Sequence, residues 1–362
     1  MSVDSVRCST SAFYQAFTMG VYGVMFRLST PFQLRIQALI NPICAFYMTC
    51  MTLSVTHISF FYIVPECYYG DPDSILKHRI AIWYMFTSVV GHFVTCVFTD
   101  TSVKRTPQND VTKHTDAENT CDQVPQMASN NNGTDEQDIL ESPTEPRPPR
   151  GMKHCDICNM YTPFRSHHCF LCERCILKRD HHCFFMGVCI GRHNHIYFIF
   201  FTLAMGIGTF YGMMLIVKYM HYLYGLTFYG PQTFLTLFFN TFSSLLEGNM
   251  PSIRYLALFV LLYISLAGTM VGFGFFCWQM MIICCGQTSY EAARNINKYS
   301  KDSYLANFRA VFNLRSLVSL LLPFWDILTD TNYCRIAKEH RTRSAKSNGD
   351  VRPRRKVKQK EH

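Results

Sequence analysis

Charge is missing from long stretches of this chain. Between Ile196 and Leu223 the single Lys, Arg, Asp or Glu is Lys218, and between Tyr255 and Ile283 there is none. Pro42–Val64 and Ile80–Thr99 are equally free of those four residue types. A helix crosses a bilayer in about 20 residues, so all four blocks are long enough to span. Lys218 lies near the end of its block, where its stem can carry the ammonium to the interface. Four such lengths exclude an ordinary soluble core. The N-terminus also lacks the basic-then-apolar pattern and small-residue cleavage site of a signal peptide, and the first apolar block is expected to serve as the targeting signal. A shorter aromatic stretch, Ala12–Leu28, is broken by glycines and Gln15 and reads as an interfacial segment. No repeat of solenoid length is evident.

The absence of positive charge sets an orientation. Leu226–Ile253 is flanked by spans and holds no Lys or Arg before Arg254, whereas the tail after Ile283 holds sixteen, including "RPRRKVKQK" at 352–360. Loops rich in Lys and Arg stay on the cytoplasmic side. The tail, and with four spans also the N-terminus and the loop 100–195, are therefore expected in the cytosol; Lys77 and Arg79 run against the rule. The resulting division is a 1–41 N-terminus, a 42–99 helical hairpin, a 100–150 linker, a 151–195 compact unit, 196–283 with two spans and a lumenal loop, a 284–330 cytosolic region and a 331–362 tail. The linker from Thr106 to Pro149 has no Phe, Tyr or Trp and is acidic, a composition that cannot bury enough surface to fold. In the lumenal loop, Phe234, Leu237, Phe238, Phe242, Leu245 and Leu246 recur at helical spacing, which predicts a helix lying on the membrane. "NFRAVFNLRSLVSLLLPFW" (307–325) reads as a second membrane-hugging element, and the basic tail as a solvated segment attracted to anionic lipid, not to nucleic acid.

Seven of the seventeen cysteines fall between Cys155 and Cys189. In a reducing cytosol such thiols bind metal in preference to forming disulfides. Cys155-x2-Cys158, Cys169-x2-Cys172 and Cys172-x2-Cys175 have zinc-knuckle spacing. Two tetrahedral sites need eight ligands, and six cysteines with two of the histidines His167, His168, His181 and His182 supply them. One cysteine is left over. Cys183 has no cysteine two positions away, and it ends the run "RDHHC" (179–183), which places an acid and two imidazoles before it. A thiolate beside an imidazolium is a nucleophile, and Asp180 can fix the tautomer of His182 as an orienting acid does in a nucleophile–base set. Spacing alone leaves open whether Cys183 or Cys189 completes the metal set. Cys183 also lies shortly before the third span, where a thiolate can reach a thioester whose acyl tail is dissolved in the bilayer.

"CDICNMYTPFRSHHCFLCERCILKRDHHCFFMGVCIGRHNHIYF" (155–198) closely resembles the cysteine-rich domain of the DHHC protein S-acyltransferases, through its cysteine spacings, Pro163, Arg165, Asp180-His181-His182-Cys183, Gly191 and Asn194. "TSYE" (288–291) and Asn307 resemble two later motifs of that family. The resemblance implies an all-α polytopic membrane protein with four transmembrane helices and a small zinc-binding domain between helices 2 and 3. It implies one zinc site of Cys155, Cys158, His168 and Cys175 and another of Cys169, Cys172, His181 and Cys189, both structural. Cys183 is then the acyl-accepting nucleophile, His182 its base and Asp180 the orienting group. The implied reaction passes a palmitoyl group from acyl-CoA, through an acyl-cysteine, to cysteines of substrate proteins at the cytosolic face of an endomembrane or the plasma membrane. Arg165, Lys178 and Arg179 are candidates for the CoA phosphates. Phe184-Phe185 stands where the family usually has Pro-Trp, Gly187 replaces a common polar residue, Thr162 a frequent lysine and Ser289 a threonine. The competing expectation is a non-catalytic membrane adaptor whose zinc domain recruits partners; a RING-like ubiquitin ligase would not need the spare thiol. Gly206, Gly208 and Gly212 in the third span and Gly268 and Gly272 in the fourth are expected either to leave room for an acyl chain or to pack the two helices closely.

Overall fold

The computed structural model describes residues 30–106, 149, 151–294, 296–301 and 303–325. The expected interfacial segment at 12–28, the interior of the acidic linker and the basic tail lie outside these residues. Helix α1 (Thr30–Ile58) runs through a π turn (Ser59–Ile63) into α2 (Val64–Cys67), and α3 (Pro72–Phe98) follows. Six short strands come next: β1 (Met152–Cys155), β2 (Met160–Pro163), β3 (His167–Cys169), β4 (Arg174–Ile176), β5 (His181–Cys183) and β6 (Val188–Ile190). The chain ends in helices α4 (His195–Tyr224), α5 (Pro231–Leu246), α6 (Ile253–Cys284), α7 (Ser289–Ala293), α8 (Tyr304–Arg309) and α9 (Leu314–Leu321). Among the described residues the chain forms two compact units, one holding the helices together with 184–187, the other 101–183 with 188–193.

Among the described residues, four helical stretches are apolar and long enough to cross a bilayer: Leu39–Cys67, Pro72–Phe98, His195–Tyr224 and Ile253–Cys284. Each is longer than its sequence block, and the second begins eight residues before Ile80 because Asp71 caps it, accepting from the Ser74 amide at 3.1 Å, with Pro72 at the first position. Their outward residues are large and apolar, among them Phe46, Phe61, Trp83 and Met270. That is the surface a hydrocarbon solvent permits and water does not. The protein is a multi-pass membrane protein. Pro65 offers no N–H and its ring would strike the carbonyl four residues back; the helix widens into the π turn directly before it.

The glycines in α4 and α6 divide between two duties. A Cβ on Gly272 would lie 2.6 Å from the Gly206 amide nitrogen and 2.7 Å from its Cα, so this pair exists to bring two backbones together. Thr269 donates to Thr209 at 3.1 Å at the same crossing. Gly208 faces elsewhere: its missing Cβ would meet Met85 at a comfortable 3.6 Å. It lines a cleft bounded by α1, α3 and α4 through Met51, Val55, Ser59, Met85 and Gly212. Space between the helices therefore lies beside α1 and α3, and the α4–α6 seam is closed at Gly206 and Gly272.

The ends of the spans are tied by polar contacts. Arg254 at the start of α6 bonds both oxygens of Glu66 at 3.0 and 2.8 Å, and Tyr219 donates to the same carboxylate at 2.7 Å. At the other end His195 pairs with Gln279 at 2.7 Å, both buried. Beyond α6, Gly286 adopts a left-handed φ of 70°, and Asn307 fills the space a side chain there would need, donating to the Cys284 carbonyl at 3.0 Å and accepting from the Lys301 amide at 2.9 Å. Thr288 and Glu291 form a capping box at the start of α7. Both marks read after the fourth span are thus buried stitches of this turn.

Candidate metal centres and active site

The strands of the smaller unit form three antiparallel hairpins with the same register. Cys155 faces Met160, Cys169 faces Arg174 and Cys183 faces Val188, and each pair closes a four-residue loop. The last loop residue is in each case left-handed: Asn159 at φ 46°, Glu173 at 51° and Gly187 at 68°. The hairpins recur every fourteen residues, a period carried in the sequence by His154-Cys155, His168-Cys169 and His182-Cys183.

Among the described residues two groups of ligand atoms come together, each within 4.8 Å: Cys155, Cys158, His168 and Cys175, and Cys169, Cys172, His182 and Cys189. The two sets are one pattern shifted by a single repeat. Each takes the last strand cysteine and a loop cysteine from one hairpin, and a histidine and a cysteine from the strands of the next. Strand geometry requires this. Residues directly opposite in an antiparallel pair share a face, and neighbours along a strand point to opposite faces. His168 pairs with Cys175 and both enter the first set, while adjacent Cys169 turns away into the second. His182 pairs with Cys189, and both enter the second set.

This corrects the ligand expectation. His182, and not His181, meets the second cluster, its Nδ1 lying 3.7 Å from Cys169, 3.3 Å from Cys172 and 3.6 Å from Cys189. His181 turns to the opposite face with Cys183. Its Nδ1–H donates to the Asp180 carboxylate at 2.8 Å, and its ring also bonds the Cys183 thiol. In the ligand cluster His182 stands where the resemblance implied His181. The signal lay in the sequence: aligning the fourteen-residue repeats superimposes His182 on His168, and a two-residue alternation puts His181 and Cys183 together. The same alignment puts Met186 where the other repeats have Cys158 and Cys172, so Cys183 is a first-ligand position whose companion ligand is missing.

The donor sets fit zinc. Zn–S near 2.3 Å and Zn–N near 2.0–2.1 Å imply tetrahedral edges of roughly 3.5–3.8 Å. Beyond the His182 distances, Cys158 lies 3.2 Å from His168 Nδ1 and 3.6 Å from Cys175. Crowded thiols cannot all ionise by themselves. Hydrogen bonds from Cys172 and Cys189 hold the Cys169 thiol far below its usual range, and the bonds of Cys189 with Cys169 and Cys172 drive Cys189 up. A divalent cation removes the conflict by accepting every thiolate at once.

Asp180 is buried, and its amide donates to the Ile190 carbonyl at 2.9 Å, which fixes the carboxylate at the hairpin base. Burial alone would push the His181 imidazole down, but its hydrogen bonds to Asp180 and Cys183 outweigh this and raise it to about 10. The imidazolium is therefore the resting form at neutral pH. A group raised from 6.5 to about 10 contributes stability that is complete below 6.5 and is lost as pH rises through 10. Thermal unfolding of the zinc-loaded protein should fall steadily between those limits, and Asp180→Asn should flatten the slope; an unchanged slope in that variant would remove Asp180 as the cause.

The expected CoA contacts are half-buried, and Arg179 already works inside the domain, its guanidinium donating to the His168 carbonyl at 2.9 Å and its amide to the Arg165 carbonyl at 3.2 Å. Phe185 is partly exposed in the β5–β6 loop.

Residues 149–296 match the DHHC palmitoyltransferase family. Among curated proteins the chain is similar to "Palmitoyltransferase ZDHHC22" of Danio rerio, 32% identical over 145 residues, covering 40% of this chain and 52% of that protein. It is 30% identical to "Palmitoyltransferase ZDHHC22" of Homo sapiens over 135 residues, covering 37% of this chain and 51% of that one. The chain thus spans about half the length of the curated relatives it matches.

Proposed function

We propose that this protein is a protein S-acyltransferase that carries a long-chain acyl group on Cys183. The observation that carries the reading is the pairing, on one face of β5, of Cys183 with a histidine held by a buried aspartate, while the opposite face is given to a metal cluster. The two clusters are proposed to hold structural zinc. Closed at four protein ligands, each would fix the hairpins and leave no position for substrate.

In the proposed reaction the Cys183 sulfur attacks the acyl-CoA thioester carbonyl, with its proton held by His181. A new sulfur–carbon bond forms, the bond to the CoA sulfur breaks, and the proton passes to the departing CoA thiolate. A substrate cysteine then takes the acyl group by the same exchange, and Cys183 is restored. Asp180 positions His181 and stabilises its charge. We place this site at the cytosolic face of the membrane, in line with the distribution of Lys and Arg. The acyl chain is proposed to occupy the cleft among α1, α3 and α4. Gly208→Phe should then shift preference toward shorter acyl-CoAs in a chain-length series, and an unchanged series would remove the cleft from the account.

The test is to incubate detergent-purified, zinc-loaded protein with an alkyne-tagged palmitoyl-CoA and locate the hydroxylamine-sensitive label by peptide mass. Label on the peptide containing Cys183 is expected. A fully zinc-loaded protein that takes no label would make it a membrane adaptor instead.

A further inference from the structure

Helix α5 lies outside the proposed chemistry, and its surface divides into three sectors. With 3.6 residues per turn, Leu237 and Thr241 share one face with Phe234 and Leu245. That face is turned to the protein: Leu237 and Thr241 are buried, Thr241 bonds the Tyr255 hydroxyl at 3.0 Å, and the Tyr263 hydroxyl donates to the Phe234 carbonyl. A second face carries Thr236, Asn240, Ser243 and Glu247. A third carries Leu235, Phe239, Phe242 and Leu246, exposed by 65%, 64%, 52% and 74%.

A soluble helix does not present four large apolar side chains in a row beside a polar stripe while its remaining face is already packed. We propose that the Leu235–Phe239–Phe242–Leu246 stripe is embedded in the acyl chains of the adjoining leaflet, with the Asn240 side toward the lipid headgroups. Three further observations select lipid as the occupant. From Pro231 to Leu246 the helix contains no Asp, Glu, Lys or Arg, and the one carboxylate beside it, Glu247, caps its end on the polar face. Two of its exposed hydroxyls are bonded within the chain: Thr236 donates to the Thr233 carbonyl at 3.1 Å, and Ser243 to the Glu247 carboxylate at 3.1 Å. The Thr236 hydroxyl beside the apolar stripe is thus satisfied inside the helix, as contact with hydrocarbon requires, while Ser243 and Glu247 keep the other face polar, as headgroups require. Its contacts along α6 run in antiparallel order, Phe234 to Tyr263, Phe238 to Phe259 and Thr241 to Tyr255. The helix therefore leans along the first turns of a span. That span has 32 residues, about 48 Å of helix against a hydrocarbon thickness of ~30 Å. The excess length puts those first turns at interfacial depth, where a three-sided helix finds all three of its environments. The sequence pattern predicts a helix lying flat; the contacts with α6 make it inclined and one-third lipid-facing.

The test uses the full-length protein in phosphatidylcholine nanodiscs, with p-benzoylphenylalanine in place of Phe239 in one variant and of Asn240 in another. Phe242 serves as a second apolar position if the first substitution disturbs elution or zinc content. Irradiation should give phospholipid adducts at 239 several-fold more often than at 240. Cross-links to a second copy at 239 would make the stripe a protein interface, and equal or absent lipid adducts at the two positions would make it a water-exposed face. Either result overturns the proposal.

Discussion

His182→Ala is expected to remove one of two zinc ions, whereas His181→Ala is expected to keep both. The two residues are adjacent, and an account based on proximity would treat them alike. The strand separates them: Nδ1 of His182 stands within 3.7 Å of three thiols, and that of His181 faces a carboxylate. Losing a ligand from a four-coordinate site forfeits much of the ~10–16 kcal/mol that a structural zinc contributes to folding. The β5–β6 hairpin should then lose its order, and acylation with it. His181→Ala should keep both zinc-bound hairpins but lower their stability, because the buried Asp180 carboxylate loses a partner, and should slow acyl-enzyme formation by about 10²–10⁴-fold, the usual contribution of a positioned acid–base group. Metal content by mass spectrometry and the rate of single-turnover labelling separate the two outcomes. A zinc count of one in His181→Ala and two in His182→Ala would overturn the assignment of faces.

Cys183→Ser should abolish thioester formation while leaving both zinc ions in place. Cys183 belongs to neither cluster, so its loss is a chemical and not a structural change. A serine hydroxyl is not ionised by an imidazolium as a thiol is, and removing a member of a nucleophile–base set lowers turnover on the order of 10⁴–10⁶-fold. Cys189→Ser serves as the opposite control: it should lose zinc from the second site first and activity only as a consequence. Labelling that survived in Cys183→Ser would move the acyl acceptor to another cysteine.

Much of this was legible in the chain. The four long blocks, with Lys218 the single charge among them, required a membrane, because nothing else solvates such lengths of apolar helix. The seven cysteines and their histidines counted out to two tetrahedral sites with one thiol over, and Cys183 stood out as the odd member. The fourteen-residue period of the His–Cys pairs was also present. It is short of any solenoid repeat, and it acquires meaning only when each unit is seen to be a hairpin closed by a left-handed residue at Asn159, Glu173 or Gly187.

Ligand choice between His181 and His182 was decided by the tertiary structure. Linear spacing ranks both equally, while cross-strand pairing with Cys189 and the alternation of a strand put one toward metal and the other toward sulfur. The glycines were sorted in the same way. All five stand at positions compatible with close packing or with a cavity, and only the arrangement of the helices shows Gly272 against the Gly206 backbone and Gly208 beside open space. Residue chemistry, counted along the chain, determined which kinds of bond this protein can make. Which residues make them depended on direction, and a side chain acquires a direction only once its strand or helix has a neighbour.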